Sequence, residues 1–562
     1  MYWRLPGLLV CGMVWCSVVG VSAAAGKHGA GVRSADRRPN VIFILTDDQG
    51  WGDAGFAGHP YIRTPGLDRL AREGTWIRQF YSAASVCSPS RTAYMTGTYP
   101  ARHQIHGHFA THEQNAARSM PNWLDPQVPN LARLLRQAGY ATGHFGKWHL
   151  GAGDGAPPPE DYGFDVSKTV NSSGVHLGNE ETEPYFRARS TAMIMDEAIE
   201  FMRAHRDAPF YLNLWTLLPH ARLKPTPEQL EPFAGLEPDA GHAAFGGWMQ
   251  RYLGRARDLR SQMQVYLASL ADLDAQVARL LLAIDELGLS EQTLIVYSSD
   301  NGPEDDRVSN ASNAGVGSTG PLRARKRSLY EGGIRTPGLV CWPGHVPAGR
   351  VDESSVFGAV DFLPTICSLA GVTVPESVRL DGEDQSRNWL GASNPRKGAL
   401  YWEWLFPVAG SAAEYQPGPL AIRDGEWKLF VNHRGEAAEL YCIPEDSGEE
   451  RDVAKQHPEV VERLRSSVLR WAEGLPASAQ RDTFISSGFS RPNSGGTAQK
   501  SGAKVDRAAA LKRWDKNGDG QLTLDEYSAG LRQADAEERF RRFDQNSDGV
   551  LSREEFVGPA GR

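Results

Sequence analysis

The chain is 562 residues long, which is too long for one ordinary hydrophobic core and predicts two or three domains. Its hydrophobic and charged fractions, 41% and 23%, are typical of a globular protein and exclude an intrinsically disordered chain. The formal net charge of −8 argues against a nucleic-acid partner, although it does not exclude one local basic pocket.

The N-terminus has the pattern of an export signal. One positive charge in MYWR precedes the apolar run LPGLLVCGMVWCSVVGV, and SAAAG offers a small-residue cleavage site that ends near Ala25. We therefore expect a signal peptide over residues 1–25, export to the periplasm or the extracellular space, and no membrane span after cleavage. The alternative is an uncleaved anchor, because the run approaches membrane-spanning length.

Four of the six cysteines lie outside this signal: Cys87, Cys341, Cys367 and Cys442. Four are too few for a disulfide scaffold. The sequence leaves open one bridge among the last three. Cys87 stands apart, because it lies in a Ser/Thr-rich C-x-P-x-R frame, VCSPSRTAYMTG.

From Pro39 onward, buried strand patterns alternate with helical patterns. Strands are predicted at VIFIL (41–45), in YATGHFGKW after a helix that stops at Gly139, at PFYLNLWTLL (209–218), at TLIVYSS (293–299) and in TPGLVCWPG, with a long helix over 263–287. This alternation predicts an α/β domain over 39–390, with a mostly parallel sheet covered by helices.

The pattern changes near residue 390. YWEW, AIRDGEWKLFVN and AELYCIP predict short antiparallel strands, and HPEVVERLRSSVLRWAEGL predicts a helix. We interpret residues 391–476 as a smaller α+β subdomain. Residues 477–505, with the Gly/Ser-rich stretch SSGFSRPNSGGTAQKSGAK at 486–504, are predicted to be a flexible linker.

Residues 506–562 contain an internal repeat. DKNGDGQLTLDE (515–526) and DQNSDGVLSREE (544–555) both fit the calcium loop D-x-[DN]-x-[DN]-G-x5-E, and helical segments precede both. The repeat predicts an all-α EF-hand pair that binds Ca²⁺. The expected ligands, with the carbonyls of Gln521 and Val550 at loop position 7, are Asp515, Asn517, Asp519, Gln521 and Glu526, then Asp544, Asn546, Asp548, Val550 and Glu555.

Acidic and amide side chains follow two of the predicted parallel strands. Asp47 and Asp48 come directly after VIFILT, and Asp300 and Asn301 directly after TLIVYSS. Because ligands of open α/β sheets lie beyond the carboxyl ends of the strands, these oxygens are expected to converge. Such a donor set suits a hard cation, Ca²⁺ before Mg²⁺.

Cationic and imidazole side chains lie on the neighbouring loops: Arg91, Lys147, His149, His220 and Lys326. Each alone has an ordinary explanation as a surface charge or a hydrogen-bonded loop residue. In a chain of net negative charge, several of them after strand ends predict a pocket for an anion.

The chain resembles a type I, formylglycine-dependent sulfatase of the alkaline phosphatase superfamily. The resemblance rests on NVIFILTDDQGWGD, SVCSPSRTAYMTGTYPARH, GYATGHFGKWHLG, SSDNGPE and LRARKRSLYEGGIRTP, in that order, and covers roughly residues 39–475. It is similar in particular to the N-acetylgalactosamine-6-sulfatase and arylsulfatase-like members. The EF-hand pair is an addition to that core.

The resemblance implies a role for each candidate residue. Cys87 is oxidised to formylglycine by a formylglycine-generating or an anaerobic sulfatase-maturating enzyme, and the aldehyde hydrates to a diol that attacks sulfur. Asp47, Asp48, Asp300, Asn301 and modified Cys87 hold Ca²⁺. Arg91 and Lys147 stabilise the ionised diol, and Lys147, His220 and Lys326 oppose the charge on the sulfuryl oxygens. His220 or Lys326 protonates the leaving alcohol. His149 takes the final proton.

The resemblance also implies a sulfated carbohydrate or aryl sulfate as substrate. RARKR (323–327) replaces a more glycine-rich run. It predicts added positive charge near the sulfate or the substrate entrance, which favours a polyanionic substrate. Two alternatives remain. One is a phosphomonoesterase or phosphonate hydrolase of the same superfamily. The other is an inactive Ca²⁺-dependent glycan-binding protein.

Overall fold

The computed structural model describes residues 38–179, 182–306, 311, 313–406, 415–487, 507–531 and 540–557, apart from 542, 545 and 547. The predicted signal peptide and most of the predicted linker lie outside these residues. The chain divides into two compact units, one formed by residues up to 410 with 417–489 and the other by 411–416 with 490–562.

A nine-stranded mixed sheet forms the centre of the first unit. Its strand order is β4-β3-β5-β1-β6-β8-β2-β7, and β9 pairs with β2. The strands are β1 (Asn40–Thr46), β2 (Thr75–Tyr81), β3 (Ala141–Lys147), β4 (Val166–Val170), β5 (Phe210–Trp215), β6 (Thr293–Ser299), β7 (Arg335–Thr336), β8 (Gly338–Cys341) and β9 (Arg350–Gly358).

Strands β4, β3, β5, β1 and β6 are parallel neighbours, as the sequence predicts. The strand predicted in TPGLVCWPG is β8, and it runs antiparallel to β6. Val41 to Leu45 have no exposed surface, which accounts for the uninterrupted apolar run, because a central strand is covered on both faces.

Helices pack in groups around the sheet. In one group α1 and α5 contact α8, and in another α2 and α4 contact α10. The helices of this region are α1 (Pro65–Glu73), α2 (Cys87–Thr96), α3 (His112–Ala117), α4 (Leu131–Gln137), α5 (Phe186–Ala204), α6 (Pro227–Leu230), α7 (Gly247–Leu253), α8 (Leu259–Glu286), α9 (Glu331–Ile334), α10 (Phe362–Leu369) and α11 (Ser386–Trp389).

A four-stranded antiparallel sheet follows, in the order β10 (Leu400–Glu403), β11 (Leu420–Asp424), β12 (Trp427–Val431) and β13 (Glu439–Cys442). Helix α12 (Pro458–Glu473) packs on it through Val461, Leu464 and Val468. The α+β subdomain is therefore confirmed.

The predicted linker begins as a helix, α13 (Ala479–Ser487). Arg481 of this helix bonds both carboxylate oxygens of the buried Glu403, at 2.6 and 2.9 Å, and Gln480 donates to the Leu405 carbonyl. Residues 479–487 are thus part of the first unit, in contrast to the expected linker boundary at 477. Sequence composition missed this because the helix has a weak apolar stripe and is held by polar bonds.

The second unit contains α14 (Arg507–Trp514), α15 (Leu524–Leu531) and α16 (Arg553–Val557) around a small core that includes Leu511, Tyr527 and Phe556. It also contains two short strands, β14 (Leu522–Thr523) and β15 (Val550–Leu551), which pair antiparallel between the two predicted calcium loops. The unit's described elements are helical apart from these strands, which the all-α prediction did not include. Within the described residues, no helix is both long and apolar enough to cross a membrane. The cysteines at 87, 341, 367 and 442 are free.

Candidate active site

The acidic residues after β1 and β6 lie side by side. Thr46 pairs with Ser299 in parallel register, so Asp47 and Asp48 emerge next to Asp300 and Asn301. The Asp48 backbone N–H donates to Asp300 Oδ1 at 3.2 Å, and Asn301 Nδ2 donates to Asp48 Oδ1 at 2.7 Å. All four side chains are buried, as the strand-end argument predicts.

Cys87 is the first residue of α2 and is almost completely buried. Its Sγ lies 3.3 Å from Asp47 Oδ1, 3.5 Å from Lys147 Nζ and 3.8 Å from Lys326 Nζ. Burial, followed by the charges of Asp300 and Asp47, raises the pKa of this thiol well above its ordinary value. The side chain is therefore a neutral thiol, not an activated thiolate.

Arg91 lies one helical turn after Cys87 and has no exposed surface. Its Nε and Nη2 donate to Asp300 Oδ2 at 3.0 and 2.8 Å, and its Nη1 donates to the Lys147 carbonyl at 2.7 Å. The guanidinium also lies 5.0 Å from the Trp215 ring centroid. Arg91 therefore orients Asp300 and the end of β3, and the neighbouring aromatic ring confines it.

Lys147 and His149 follow the carboxyl end of β3. Lys147 Nζ forms an ion pair with Asp47 Oδ2. Burial alone would raise the pKa of Asp47, but Lys147, His220, Arg91 and Lys326 outweigh it and hold that pKa well below the ordinary value. Asp47 is accordingly ionised.

His149 adopts a left-handed backbone conformation, with φ of 57°. Its Nε2 lies 3.1 Å from the Phe109 carbonyl, so that nitrogen carries the hydrogen, and its Nδ1 is buried without a hydrogen-bond partner among the described residues. Burial and the charge of Lys147 lower the pKa of His149 well below its ordinary value. The ring is neutral, with the Nδ1 lone pair available to accept a proton.

His220 follows β5, and Lys326 lies on a loop after β6. His220 Nε2 is 3.7 Å from Asp48 Oδ2, and Lys326 Nζ donates to the same oxygen at 2.6 Å. Burial lowers the pKa of His220 to about 3, whereas Asp48 and Glu304 raise the pKa of Lys326 despite its burial. The structure thus brings together the residues predicted for the catalytic centre.

Glu304 is a site residue that the sequence argument missed. Its Oε2 lies 3.6 Å from Lys326 Nζ and accepts from Arg327 Nη2 at 3.2 Å. Burial opposes ionisation, but Lys326 and Arg327 lower the pKa of Glu304 far below its ordinary value. The available signal was its position in SSDNGPE, four residues after Asp300.

RARKR is expected to add positive charge near the sulfate or the substrate entrance; Lys326, whose Nζ lies 3.8 Å from Cys87 Sγ, is so placed, but the three arginines are not. Arg325 is fully buried against the Tyr252 ring, and its Nε donates to the Glu304 carbonyl at 2.8 Å. Arg323 lies over the Tyr330 ring at 3.9 Å, and Arg327 is paired with Glu304. These guanidiniums have partners inside the protein, so they organise the loop around Lys326.

The donor set fits a hard cation. Ligand atoms of Asp47, Asp48, Cys87 and His220 lie within 4.8 Å of one another, and the buried Asn301 Oδ1 has no hydrogen-bond partner among the described residues. An unpaired buried amide oxygen is costly, and a cation beside it removes that cost. Each of the three aspartates has its Oδ2 paired with a cation, Lys147 for Asp47, Lys326 for Asp48 and Arg91 for Asp300, and Asp300 Oδ1 accepts the Asp48 backbone N–H.

Family comparison identifies this arrangement. The Sulfatase family model matches residues 39–372, which is more than half of the chain. The chain belongs to the sulfatase family. A second model, the C-terminal region of N-sulphoglucosamine sulphohydrolase, matches residues 324–473, and an EF-hand model matches 536–557.

Curated relatives agree with this assignment. Human arylsulfatase A is 30% identical over 78% of this chain and 88% of its own length. Mouse N-acetylgalactosamine-6-sulfatase is 33% identical over 73% of this chain and 77% of its own. This sulfatase is accordingly a sulfuric ester hydrolase. Among solved structures, Ps i-CgsB in complex with k-i-k-neocarrahexaose has a TM-score of 0.63 at 26% identity, covering 80% of this chain and 97% of that one.

The second unit carries the two predicted calcium loops, and the candidate ligands of each lie within twelve consecutive residues. The side-chain ligands in the middle of each loop are exposed, whereas Asp515, Glu526, Asp544 and Glu555 are half-buried. In the first, Asp515 accepts the N–H groups of Gly518 and Gly520 at 2.7 and 2.8 Å, and Glu526 Oε1 accepts that of Lys516 at 3.1 Å. Glycines 518, 520 and 549 have positive φ, as sharp loop turns require.

The second loop repeats this pattern with Asp544, Asn546, Asp548 and Glu555. Asp544 Oδ2 accepts from Gly549 N–H, and Asn546 Nδ2 donates to Asp548 Oδ2. Strands β14 and β15 place Gln521 and Val550 beside the pairing between the loops. The loops therefore have the side-chain arrangement that calcium coordination needs.

Proposed function

We propose that this sulfatase is exported and removes sulfate from sulfated glycans, using formylglycine made from Cys87 and a Ca²⁺ ion in the same site. The observation that carries the proposal is the placement of Cys87 at the start of α2, within 3.8 Å of Asp47, Lys147 and Lys326. A neutral buried thiol is a poor nucleophile there. Conversion to an aldehyde gives the position a chemical use.

That conversion is a two-electron oxidation in which a Cβ=O bond replaces the Cβ–S bond and one Cβ–H bond of Cys87, and the sulfur leaves as sulfide. The oxidant belongs to a maturation enzyme, either the formylglycine-generating class or the anaerobic class. Pro89 and Arg91 are part of the sequence that such an enzyme would recognise before folding, since Cys87 and Arg91 are buried afterwards. When present, the hydrated aldehyde supplies an oxygen nucleophile and the cation acts as a Lewis acid.

The chain's own residues divide the remaining work. Asp47, Asp48, Asp300 and Asn301 would hold the cation, with the unpaired Asn301 Oδ1 as one ligand. Lys147 and Lys326, both next to the position of Cys87 Sγ, oppose the negative charge that spreads over the sulfuryl oxygens. Their ion pairs with Asp47 and Asp48 hold them in place before substrate arrives.

Two imidazoles are placed to move protons. His149 Nδ1 is unpaired in the buried site and would accept the final proton, because Nε2 is occupied by the Phe109 carbonyl. His220 Nδ1 donates to the Ala221 carbonyl at 2.5 Å, which leaves Nε2 facing Asp48. Lys326 keeps its protons and would give one to the leaving alcohol. His220, whose pKa is lowered to about 3, is the alternative donor only once bound substrate has caused Nε2 to be protonated.

The glycan substrate is proposed from two lines of support. The predicted signal peptide favours an exported enzyme that meets extracellular polymers. One related protein is an N-acetylgalactosamine-6-sulfatase, and another, Ps i-CgsB, has been solved in complex with a neocarrahexaose. Sulfate release from a panel of sulfated oligosaccharides, beside aryl sulfate and aryl phosphate, would identify the class. Faster release of phosphate than of sulfate would favour the phosphomonoesterase alternative.

Mass analysis of the peptide that spans Arg78 to Arg91 tests the nucleophile. In active protein made with a maturation enzyme, we expect an aldehyde at position 87, trapped by a hydrazine probe. Cys87→Ala should abolish turnover, because no other nucleophile occupies that place, and should leave the fold intact. Full activity with an unmodified thiol would overturn the proposal, and an unmodified, inactive protein from its own host would favour the binding-protein alternative.

A further inference from the structure

The loop that carries Lys326 is closed on itself and held from outside. The Gly332 N–H donates to the Arg323 carbonyl at 2.7 Å, which brings the two ends of segment 323–331 together. A Cβ on Gly332 would lie 2.3 Å from the Ala324 carbonyl oxygen, so that close approach requires glycine. We name residues 323–331 the Lys326 loop. Lys326 lies between its ends, with its amine on Asp48.

Residues of the four-stranded subdomain hold both ends of this loop. Lys428 Nζ, on β12, lies 2.8 Å from Glu331 Oε1 and 3.0 Å from Glu449 Oε1. Glu449 Oε2 accepts the Glu331 backbone N–H at 2.6 Å, and the Glu449 carbonyl accepts from Arg323 Nη1 at 2.8 Å. Lys428, Glu331 and Glu449 have no exposed surface.

A further set of bonds fixes the same end of the loop. Tyr330 Oη donates to Glu439 Oε2 at 2.8 Å, and Glu439 is on β13. Glu331 Oε2 accepts from Tyr81 Oη at 2.8 Å and from Arg335 Nη1 at 3.3 Å. Burying an ammonium and two carboxylates costs free energy that well-packed apolar side chains would not. Their presence between the loop and the subdomain therefore requires a reason beyond packing.

We propose that Lys428 and Glu449 are positioning residues for Lys326: the subdomain holds the Lys326 loop so that its amine stays on Asp48 and faces position 87. The proposal rests on the proposed role of Lys326 in sulfate ester hydrolysis. Neither Lys428 nor Glu449 is placed at Cys87, so each acts only through the loop. An error of about 1 Å in Lys326 is enough to cost about 100-fold in rate.

The principal test is Lys428→Met, which keeps the chain length and removes the ammonium. We expect kcat per folded molecule to fall about 10- to 100-fold with a smaller change in KM, because Lys326 acts mainly on the developing charge. Amide hydrogen exchange of residues 323–331 should accelerate. Arg463→Met, which removes the exposed Arg463–Asp424 pair of the same subdomain, is the matched control and should change neither.

A double-mutant cycle separates positioning from a general loss of stability. In a Lys326→Ala background, Lys428→Met should have almost no further effect on the residual rate with an activated aryl sulfate. An equal fold-loss in both backgrounds, or an unchanged kcat per folded molecule, would overturn the proposal. If Lys428→Met does not fold, Tyr330→Phe, which removes the hydroxyl that donates to Glu439 and keeps the ring, gives the same two readouts. Hydrogen exchange needs no formylglycine, so it stays informative if Cys87 proves unmodified.

The cluster also predicts a pH signature. Burial raises the pKa of Glu449 to about 7 even though Lys428 opposes the shift, whereas Lys428 and Arg335 overcome burial and lower the pKa of Glu331. The charged groups that act on Glu449 are those of Lys428, Glu331 and Arg323. The titratable groups that act on Glu331 in turn include Arg335, Arg423 and Tyr81.

The unfolded chain loses the Glu449 proton near pH 4.5, the ordinary pKa of a glutamate, whereas folded Glu449 keeps it up to about pH 7. The free energy of unfolding should therefore decline as the pH rises from 4.5 to about 7. Glu449→Gln keeps the acceptor for the Glu331 N–H and should flatten this decline while preserving loop protection. A variant that retains the full pH dependence would contradict the assignment of that proton to Glu449.

Discussion

Two regions of this protein bring together the oxygen atoms that are proposed to bind calcium, and they do so by opposite means. Each EF-hand loop takes its candidate ligands from twelve consecutive residues, leaves them exposed or half-buried and holds them by local backbone bonds, such as Gly520 N–H to Asp515. The catalytic site takes Asp47, Cys87 and Asp300 from distant parts of the chain and buries them. The first site needs only its own loop, whereas the second needs the whole sheet.

The difference extends to the countercharges. No lysine or arginine is bonded to Asp515 or Asp544 among the contacts of the described residues, whereas Asp47, Asp48 and Asp300 are paired with Lys147, Lys326 and Arg91 respectively. Buried ion pairs contribute little net stability, and removing one partner leaves an uncompensated charge. Burying these charges therefore lowers the stability of the catalytic site relative to an apolar core, which the EF-hand loops do not require. It also holds the charged groups in fixed positions that can stabilise the transition state.

Asp48→Asn should produce the largest change in this comparison. It removes a carboxylate from the cation site and from Lys326 at once, so we expect kcat to fall by about 10² to 10³ or more. Asp207→Asn, which alters a highly exposed carboxylate, is the control and should leave kcat unchanged. A near-normal kcat for Asp48→Asn would show that the wrong ligands are assigned.

Calcium content gives an independent readout of the same variant. It is best measured on a chain ending at Ser487, which lacks the EF-hand loops. That chain should retain a bound calcium ion, and Asp48→Asn should lose it. Retention of the ion by the variant would mean that the remaining residues form the site without Asp48.

Sequence patterns predicted what was local or periodic. TLIVYSS is β6 to the residue, and the strand ends placed Asp48 and Asn301 together because parallel strands share a carboxyl edge. The patterns missed β2, β4 and β9, which mix polar and apolar residues; β4 and β9 are edge strands, whereas β2 has partners on both sides. They also missed Glu304 and the internal partners of Arg325, because burial of a charge depends on which distant segment covers it.

A buried ion pair that belongs to neither set of candidate ligands, Arg481 with Glu403, tests how much buried charge contributes to stability. Glu403 is almost fully buried and is held by Arg481, by His433 at 3.0 Å and by His106 at 3.6 Å. Burial opposes ionisation, but hydrogen bonds from Arg481 and His433 lower the pKa of Glu403 to about 2. Arg481→Met should therefore destabilise the first unit by about 3–5 kcal/mol near neutral pH.

The sign of the pH dependence follows from that lowered pKa. The stabilisation by ionised Glu403 is present above the ordinary pKa of 4.5 and is lost as pH falls towards about 2. The deficit of Arg481→Met should accordingly shrink in acid, as denaturant unfolding at several pH values would show. Arg463→Met, at an exposed pair, should cost no more than about 1 kcal/mol at any of them. A deficit independent of pH would mean that Arg481 stabilises by packing alone.

The smallest expected effect on catalysis is that of removing the EF-hand pair. The cut belongs after Ser487 and not after Pro476, because Arg481 and the Ser478–His106 bond at 3.0 Å tie the intervening residues to the first unit. The truncated chain should hydrolyse a small aryl sulfate at nearly the full rate, since every residue placed in the candidate active site belongs to the first unit. In the intact chain, Asp515→Ala and Asp544→Ala should each abolish one calcium-binding event, measured by calorimetry, and leave that rate unchanged. A rate that fell in step with the loss of calcium from these loops would show that calcium binding by the EF-hand pair controls the activity of the catalytic site.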